Sequence, residues 1–114
     1  MYYVYILRCR GGTLYTGITP DVCRRMRAHL RGSGAKYTRS HPPEALEALW
    51  RAEDKIAAAR LEYAVKKHLD RTRKLALIAR PDRLGELLPG LADLSLEAIP
   101  GITLEECLEG GFHG

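Results

Sequence analysis

The 114-residue sequence contains no asparagine and no glutamine, so no side-chain amide is available as a ligand or hydrogen-bond partner. Cysteine is scarce and odd in number: Cys9, Cys23 and Cys107, none in CxxC spacing. That argues against both a disulfide framework and a zinc knuckle, and fits a reducing, cytoplasmic setting. The three thiols are expected to be small buried or half-buried side chains. No apolar run approaches the ~20 residues that span a bilayer. No charged-then-apolar stretch opens the chain either, so neither a membrane span nor a secretory leader is expected. A chain of this length has room for one domain with a single modest core.

What is present is ordinary in bulk, 46% apolar and 28% charged, but uneven in charge. Residues 1–80 hold 17 Lys/Arg against 7 Asp/Glu and residues 81–114 hold one against 7, which is +10 and −6 and gives the net +4. A basic body is the electrostatic footprint of a polyanion binder, because phosphate contacts release counterions. The alternative on charge alone is a set of solvated basic helices.

Tyr2 to Arg10 is rich in aromatic and β-branched residues and reads as a strand. Gly11-Gly12 signals a turn, and Thr13 to Ile18 reads as the returning strand. Tyr5 and Tyr15 stand ten residues apart, so the register decides which faces they take. An odd-length loop, such as three residues pairing Arg10 with Leu14, puts both rings on one face. A two-residue Gly-Gly turn pairing Arg10 with Thr13 puts them on opposite faces. The odd-length loop is expected. Strand tyrosines also pack with only the hydroxyl wet, and on the residues alone that alternative stands.

Thr19-Pro20-Asp21 starts a helix, with Thr19 at the N-cap, Pro20 at the first position and an acid in the first turn. Val22, Met26 and Leu30 form its apolar stripe, and Arg24, Arg27 and Arg31 lie opposite. Arg25 and His29 share a face one turn apart, bordering the stripe. Arg25 could instead serve an i,i+4 pair with Asp21, and His29 could be a partly buried hydrogen-bonded histidine. Gly32 to Pro43 reads as a loop in which Lys36, Tyr37, Thr38, Arg39 and His41 interleave bases with a ring. Such a loop can hold a phosphodiester and stack a base on Tyr37.

By periodicity Glu44 to Glu53 suits a helix, with Leu46, Leu49, Trp50 and the alanines inward. Asp54 caps a helix running to about Leu69, with Ala57, Ala58, Leu61, Ala64, Val65 and Leu69 inward. Glu62 sits at the margin of that stripe, where an i,i+4 pair with Lys66 is the plain reading. Asp70 to Arg80 reads as a further helix, Leu75 and Ile78 inward, with Arg71, Arg73 and Lys74 outward. The last third is acidic and leucine-rich (Leu84, Leu87, Leu88, Leu91), with a capping-box signature at Thr103 and Glu106. It is expected to dock as short helices on the body or on a second chain. A sharper expectation is that it covers part of the basic face, so that deleting 82–114 strengthens DNA binding at low salt.

Tyr3-Val4-Tyr5, Tyr15-Thr16-Gly17, Arg25, GAKYTR at Gly34 to Arg39, and LEYAVKK at Leu61 to Lys67 follow one another in an order that resembles the GIY-YIG nuclease domain. The resemblance covers roughly residues 2–79, in the manner of short stand-alone bacterial members. It implies an α+β domain at 1–80: a small three-stranded antiparallel sheet in the order ββαβαα, with 81–114 as an acidic helical extension. The third strand then replaces the helix at Glu44 to Glu53, with Leu46, Ala48 and Trp50 on one face. It also implies roles. Tyr5 and Tyr15 would orient and deprotonate a water, with His29 taking the proton. Arg25 would clamp the phosphate, and Glu62 would bind a single Mg²⁺ or Mn²⁺. Arg24, Lys36, Tyr37, Arg39 and Lys66 would contact nucleic acid, while Gly17 lets backbone approach closely. Many members add a polar amide after the glutamate helix, and this chain has none.

The expected activity is therefore metal-dependent hydrolysis of DNA phosphodiesters, branched or damaged DNA included, in repair or recombination. Two rivals remain on the sequence. One is a catalytically silent nucleic-acid-binding module. The other is a protein-interaction domain, partnering or self-associating through its acidic tail.

Overall fold

Strand β1 (Tyr2–Cys9) has both faces covered, which explains its unbroken apolar run from Tyr3 to Leu7. The computed structural model describes residues 1–110 and 112. β1 is interior to a four-stranded antiparallel sheet in the order β2-β1-β3-β4, with β2 at Leu14–Thr19, β3 at Pro43–Ala52 and β4 at Leu96–Ala98. Val4 and Ile6 point to one core cluster, and Tyr3, Tyr5, Leu7 and Cys9 to the other.

The hairpin closes on a three-residue loop, Arg10 to Gly12. The Cys9 amide donates to the Thr13 carbonyl at 2.8 Å, and both glycines take positive φ (89° and 84°). The closing pair is thus Cys9/Thr13 rather than Arg10/Leu14, but the odd parity holds: Tyr5 faces Gly17 and Leu7 faces Tyr15. Both tyrosines therefore lie on one side of the sheet.

That side is covered by α1 (Val22–Leu30). Its N-cap is Asp21, which accepts from the Arg24 amide at 3.1 Å; Thr19 belongs to β2, and its hydroxyl accepts from the Asp21 amide. The helix thus starts two residues later than expected. Its buried residues are Val22, Cys23, Met26 and His29, while Leu30 is exposed. The segment expected as loop contains a short helix, α2 (Lys36–Ser40).

β3 is a strand although its periodicity suits a helix, because β1 and β4 pair with both its edges. Ile6 pairs with Ala48 and Leu7 with Leu46, so Glu47 is an extra residue in a bulge. The bulge turns Leu46 to the α1 side with Leu49, while Ala48 and Trp50 stay opposite. The three expected on one face are split for this reason.

On that opposite face packs α3 (Lys55–His68), capped by Asp54 onto the Ala57 amide at 2.9 Å, with Ala57, Ala58, Leu61, Ala64 and Val65 buried. Asp70 caps α4 (Arg71–Ala79), whose inward anchor is Leu77; Leu75 is exposed and Ile78 only half-buried. The remaining chain makes short helices α5 (Leu84–Leu87) and α6 (Leu104–Leu108), with 3-10 turns at Pro81–Arg83 and Pro89–Leu91. It also supplies β4, so the extension is not purely helical and the sheet has four strands rather than three. Leu84, Leu88 and Leu91 join the α3 cluster, and Leu104 and Cys107 the α1 cluster. Thr103 caps α6 by accepting from the Glu106 amide. Among the described residues, no helix is long and apolar enough to cross a membrane.

Candidate active site

The α1 face of the sheet carries a buried polar chain within its apolar cluster. The Tyr5 hydroxyl lies 2.7 Å from His29 Nε2, and His29 Nδ1 lies 2.7 Å from Thr38 Oγ1. Arg25 Nε donates to the Tyr5 oxygen at 3.4 Å, and Thr38 Oγ1 donates to the Ala35 carbonyl at 3.2 Å. Counting protons assigns the chain a direction. Thr38 has one proton and gives it to Ala35, so it accepts from His29 Nδ1–H. Nε2 is left bare and accepts from Tyr5. In the reverse assignment no described residue accepts the Tyr5 proton.

The four members arrive from three elements. β1 brings Tyr5, α1 brings Arg25 and His29 one turn apart, and α2 brings Thr38. Two glycines make room. A Cβ at Gly17 would fall 2.5 Å from the Tyr5 hydroxyl, and one at Gly34 would fall 2.5 Å from His29 Nδ1. The close neighbour that Gly17 accommodates is therefore Tyr5.

Tyr15 completes the cluster. Its ring centroid is 6.4 Å from that of Tyr5 and 5.5 Å from that of His29, the latter edge-on. Lys66 from α3 reaches past the edge of β2 and places Nζ 5.7 Å above the Tyr15 ring, while bonding Glu62 at 3.2 Å. Glu62 is thus at the rim, its side chain 24% exposed.

These surroundings set the acid–base properties. Burial pushes the Tyr5 phenol up to about 12, against the Arg25 hydrogen bond that lowers it, with Tyr15 and Glu62 adding to the rise. Burial, and then the Arg25 charge, bring His29 down to about 4, so its imidazole is neutral at pH 7. Arg25 is held protonated above its ordinary value, chiefly by the Tyr5 bond. The thiols are inert by comparison: burial raises Cys9, and burial with the neighbouring Cys23 raises Cys107 to about 12.

The expected nucleic-acid contacts do not gather in one place. Arg24 is exposed on the outer side of α1. Lys36 and Arg39 line a shallow depression with Gly32 to Ala35. Lys66 lines a different cleft of about 400 Å³, beside Tyr15 and Tyr37. His41 stacks on Tyr37 at 4.4 Å, and the Tyr15 ring lies nearly parallel to it at 5.9 Å. Its hydroxyl donates to Thr13. A larger cavity of about 680 Å³, between α3 and residues 87–91, is lined by neither Tyr5 nor Tyr15.

Sequence reasoning named Tyr5, Tyr15, Arg25 and His29, which the structure brings together, and Glu62 beside them. It missed Thr38 as a partner. The available signal was compositional: without amides, a buried imidazole N–H is answered by a hydroxyl, a carbonyl or a carboxylate.

A family model of the GIY-YIG catalytic domain matches residues 1–75. The chain belongs to the GIY-YIG family. GIY-YIG relatives include the UPF0213 protein XAC3202 of Xanthomonas axonopodis pv. citri, 45% identical over 95 residues, covering 82% of this chain and 92% of the relative. The UPF0213 protein BH0048 of Halalkalibacterium halodurans is 50% identical over 78 residues, covering 68% and 82%. A solution NMR structure of the UPF0213 protein BH0048 from Bacillus halodurans aligns with a TM-score of 0.47 at 45% identity, covering 81% of this chain and 98% of that one.

A GIY-YIG domain implies a divalent metal. Among the described residues no group of three or more His, Cys, Asp or Glu could cage one. A single rim carboxylate still fits Mg²⁺ or Mn²⁺, which bind through one or two carboxylates plus substrate phosphate and keep several waters. Glu62 would hold it.

Proposed function

We propose that this GIY-YIG protein is a metal-dependent endonuclease that hydrolyses DNA phosphodiester bonds. The observation that carries the reading is the hydrogen-bond chain that joins Arg25, Tyr5, His29 and Thr38. A phenol raised to about 12 is a poor free base. Tyr5 need never become a free phenolate, however, if its own proton passes to His29 Nε2 as it takes one from an attacking water. Tyr15, on the same face, orients that water. The water oxygen then bonds to phosphorus as the ester P–O bond breaks.

Arg25 has two tasks. Its guanidinium clamps a phosphate, for which a planar fork suits. In the free protein its charge also helps hold His29 down. A phosphate paired with Arg25 offsets that charge, so His29 becomes more basic when substrate is in place. A divalent cation on Glu62 would supply charge neutralisation at the phosphate and the leaving oxygen.

The test is cleavage of labelled linear, single-stranded and branched DNAs with Mg²⁺ or Mn²⁺, by wild type, Glu62→Ala and Arg25→Ala. Loss of cleavage in both variants with binding retained is expected. Activity surviving Glu62→Ala would overturn its metal role. Binding without cleavage of any substrate would replace the enzyme reading with that of a silent binding module.

A further inference from the structure

The cleft beside Tyr15 is unusual in what lines it. One wall is the outer edge of the sheet, Thr13 to Thr16; the other carries Lys66 from α3 with Arg71 and Lys74 from α4. Three cations line this cleft of about 400 Å³, and no carboxylate does. Lys66 is held by Glu62, but among the described residues neither Arg71 nor Lys74 has a carboxylate partner.

Local sequence explains the placement. Asp70 turns the chain and caps α4, and the i,i+3 spacing of Arg71 and Lys74 puts both on one helix face. Leu77, on the inward side, anchors that helix to the core. Arg71 lies along the hairpin, its Nη2 4.0 Å from where a Cβ of Gly12 would stand. Unpaired like charges converging on one cleft favour an anionic occupant.

We propose that this cleft seats the nucleotide next to the scissile phosphate, gripping its backbone phosphate with Arg71 and Lys74. The proposal rests on the nuclease reading for the identity of its ligand. Continuity with the site supports it, since Tyr15 belongs to both and Lys66 joins the cleft to Glu62. The volume lies at the low end of small-ligand pockets and suits one nucleotide rather than a duplex. The cations hold backbone, which carries no sequence information. Binding here is therefore indifferent to sequence.

The test is a salt titration of binding to fluorescent oligothymidylate and oligouridylate, in EDTA so that nothing is cleaved. Wild type is compared with Arg71→Ala/Lys74→Ala and with a control pair, Lys55→Ala/Arg80→Ala, at the other ends of α3 and α4. Removing the grip on that one phosphate should lower the slope of log K against log salt by ~0.7 for a single strand. The control pair should leave it unchanged, and thermal melting confirms that both variants fold. A similar loss on both oligomers marks the backbone as the ligand; a loss on one alone would overturn a backbone grip. No change, equal changes in the two pairs, or a wild type without salt-dependent affinity would also overturn it. Cleavage is scored separately with metal. A wild type that fails to cleave while the slope difference stands removes the nuclease reading and leaves the cleft.

Discussion

Thr38 carries one proton, and its use sets the tautomer of the histidine bonded to it. Thr38→Val removes the acceptor for His29 Nδ1–H and leaves a buried donor unpaired, which costs about 1–3 kcal/mol. Cleavage should fall on the order of 10- to 100-fold if the same energy is lost from the transition state. Thr38→Ser should restore both. Nitrogen chemical shifts of the His29 ring give the direct readout: Nδ1 protonated in wild type and Ser, mixed tautomers in Val. Wild-type shifts showing Nε2 protonated would contradict the assigned direction. His29 also sets a pH dependence. Its folded value of about 4 lies below the unfolded 6.5, so between these the unfolded chain binds the extra proton. The contribution is intact above pH 6.5 and is lost as pH falls through 4, about 3 kcal/mol in all. Urea unfolding at pH 7 and pH 4 should show wild type losing that much more than His29→Gln; equal losses would refute it. The shared face of Tyr5 and Tyr15 follows from register parity given the odd-length loop, which the sequence left as an expectation against a two-residue turn. Thr38 was not legible, because its contact with His29 depends on the turn through Gly32 and the close approach at Gly34, which no periodicity reports.

At the scale of elements, pairing overrode local pattern where the two conflicted. β3 has helix-like spacing, yet its backbone groups are satisfied by two neighbouring strands. Its faces were not legible, since one extra residue at Glu47 sends Leu46 to the α1 side. The buried side of α3 was read residue by residue from its spacing. That of α4 was misread, because α4 is short and touches the core mainly through Leu77. Leu77→Ala should therefore cost about 2–5 kcal/mol of stability. Leu75→Ala, at a 43% exposed position, should change it by less than about 0.5 kcal/mol. Equal effects in denaturant unfolding would mean that α4 is rotated from the position described.

At the scale of the molecule, the charge division follows the chain but not the packing. The acidic extension supplies an edge strand and core leucines, so its deletion removes structure along with charge. Neutralisation separates the two. Glu97 pairs with Arg51 at 2.6 Å and Asp93 with Arg60 at 2.9 Å, both at the surface, where such pairs add little to stability. Asp93→Ala/Glu97→Ala should bind DNA more tightly at low salt, with the gain fading as salt screens it. Unchanged affinity at low salt would show that the extension does not mask the basic body. The central claim is that a proton moves from Tyr5 to His29 as a phosphodiester is cleaved. Single-turnover cleavage of saturating DNA by Tyr5→Phe, beside wild type, tests it most directly. The account predicts a rate lower by roughly 10²–10⁴-fold at unchanged affinity, the span of acid–base catalysis. A Phe variant that cleaves at the wild-type rate would contradict it.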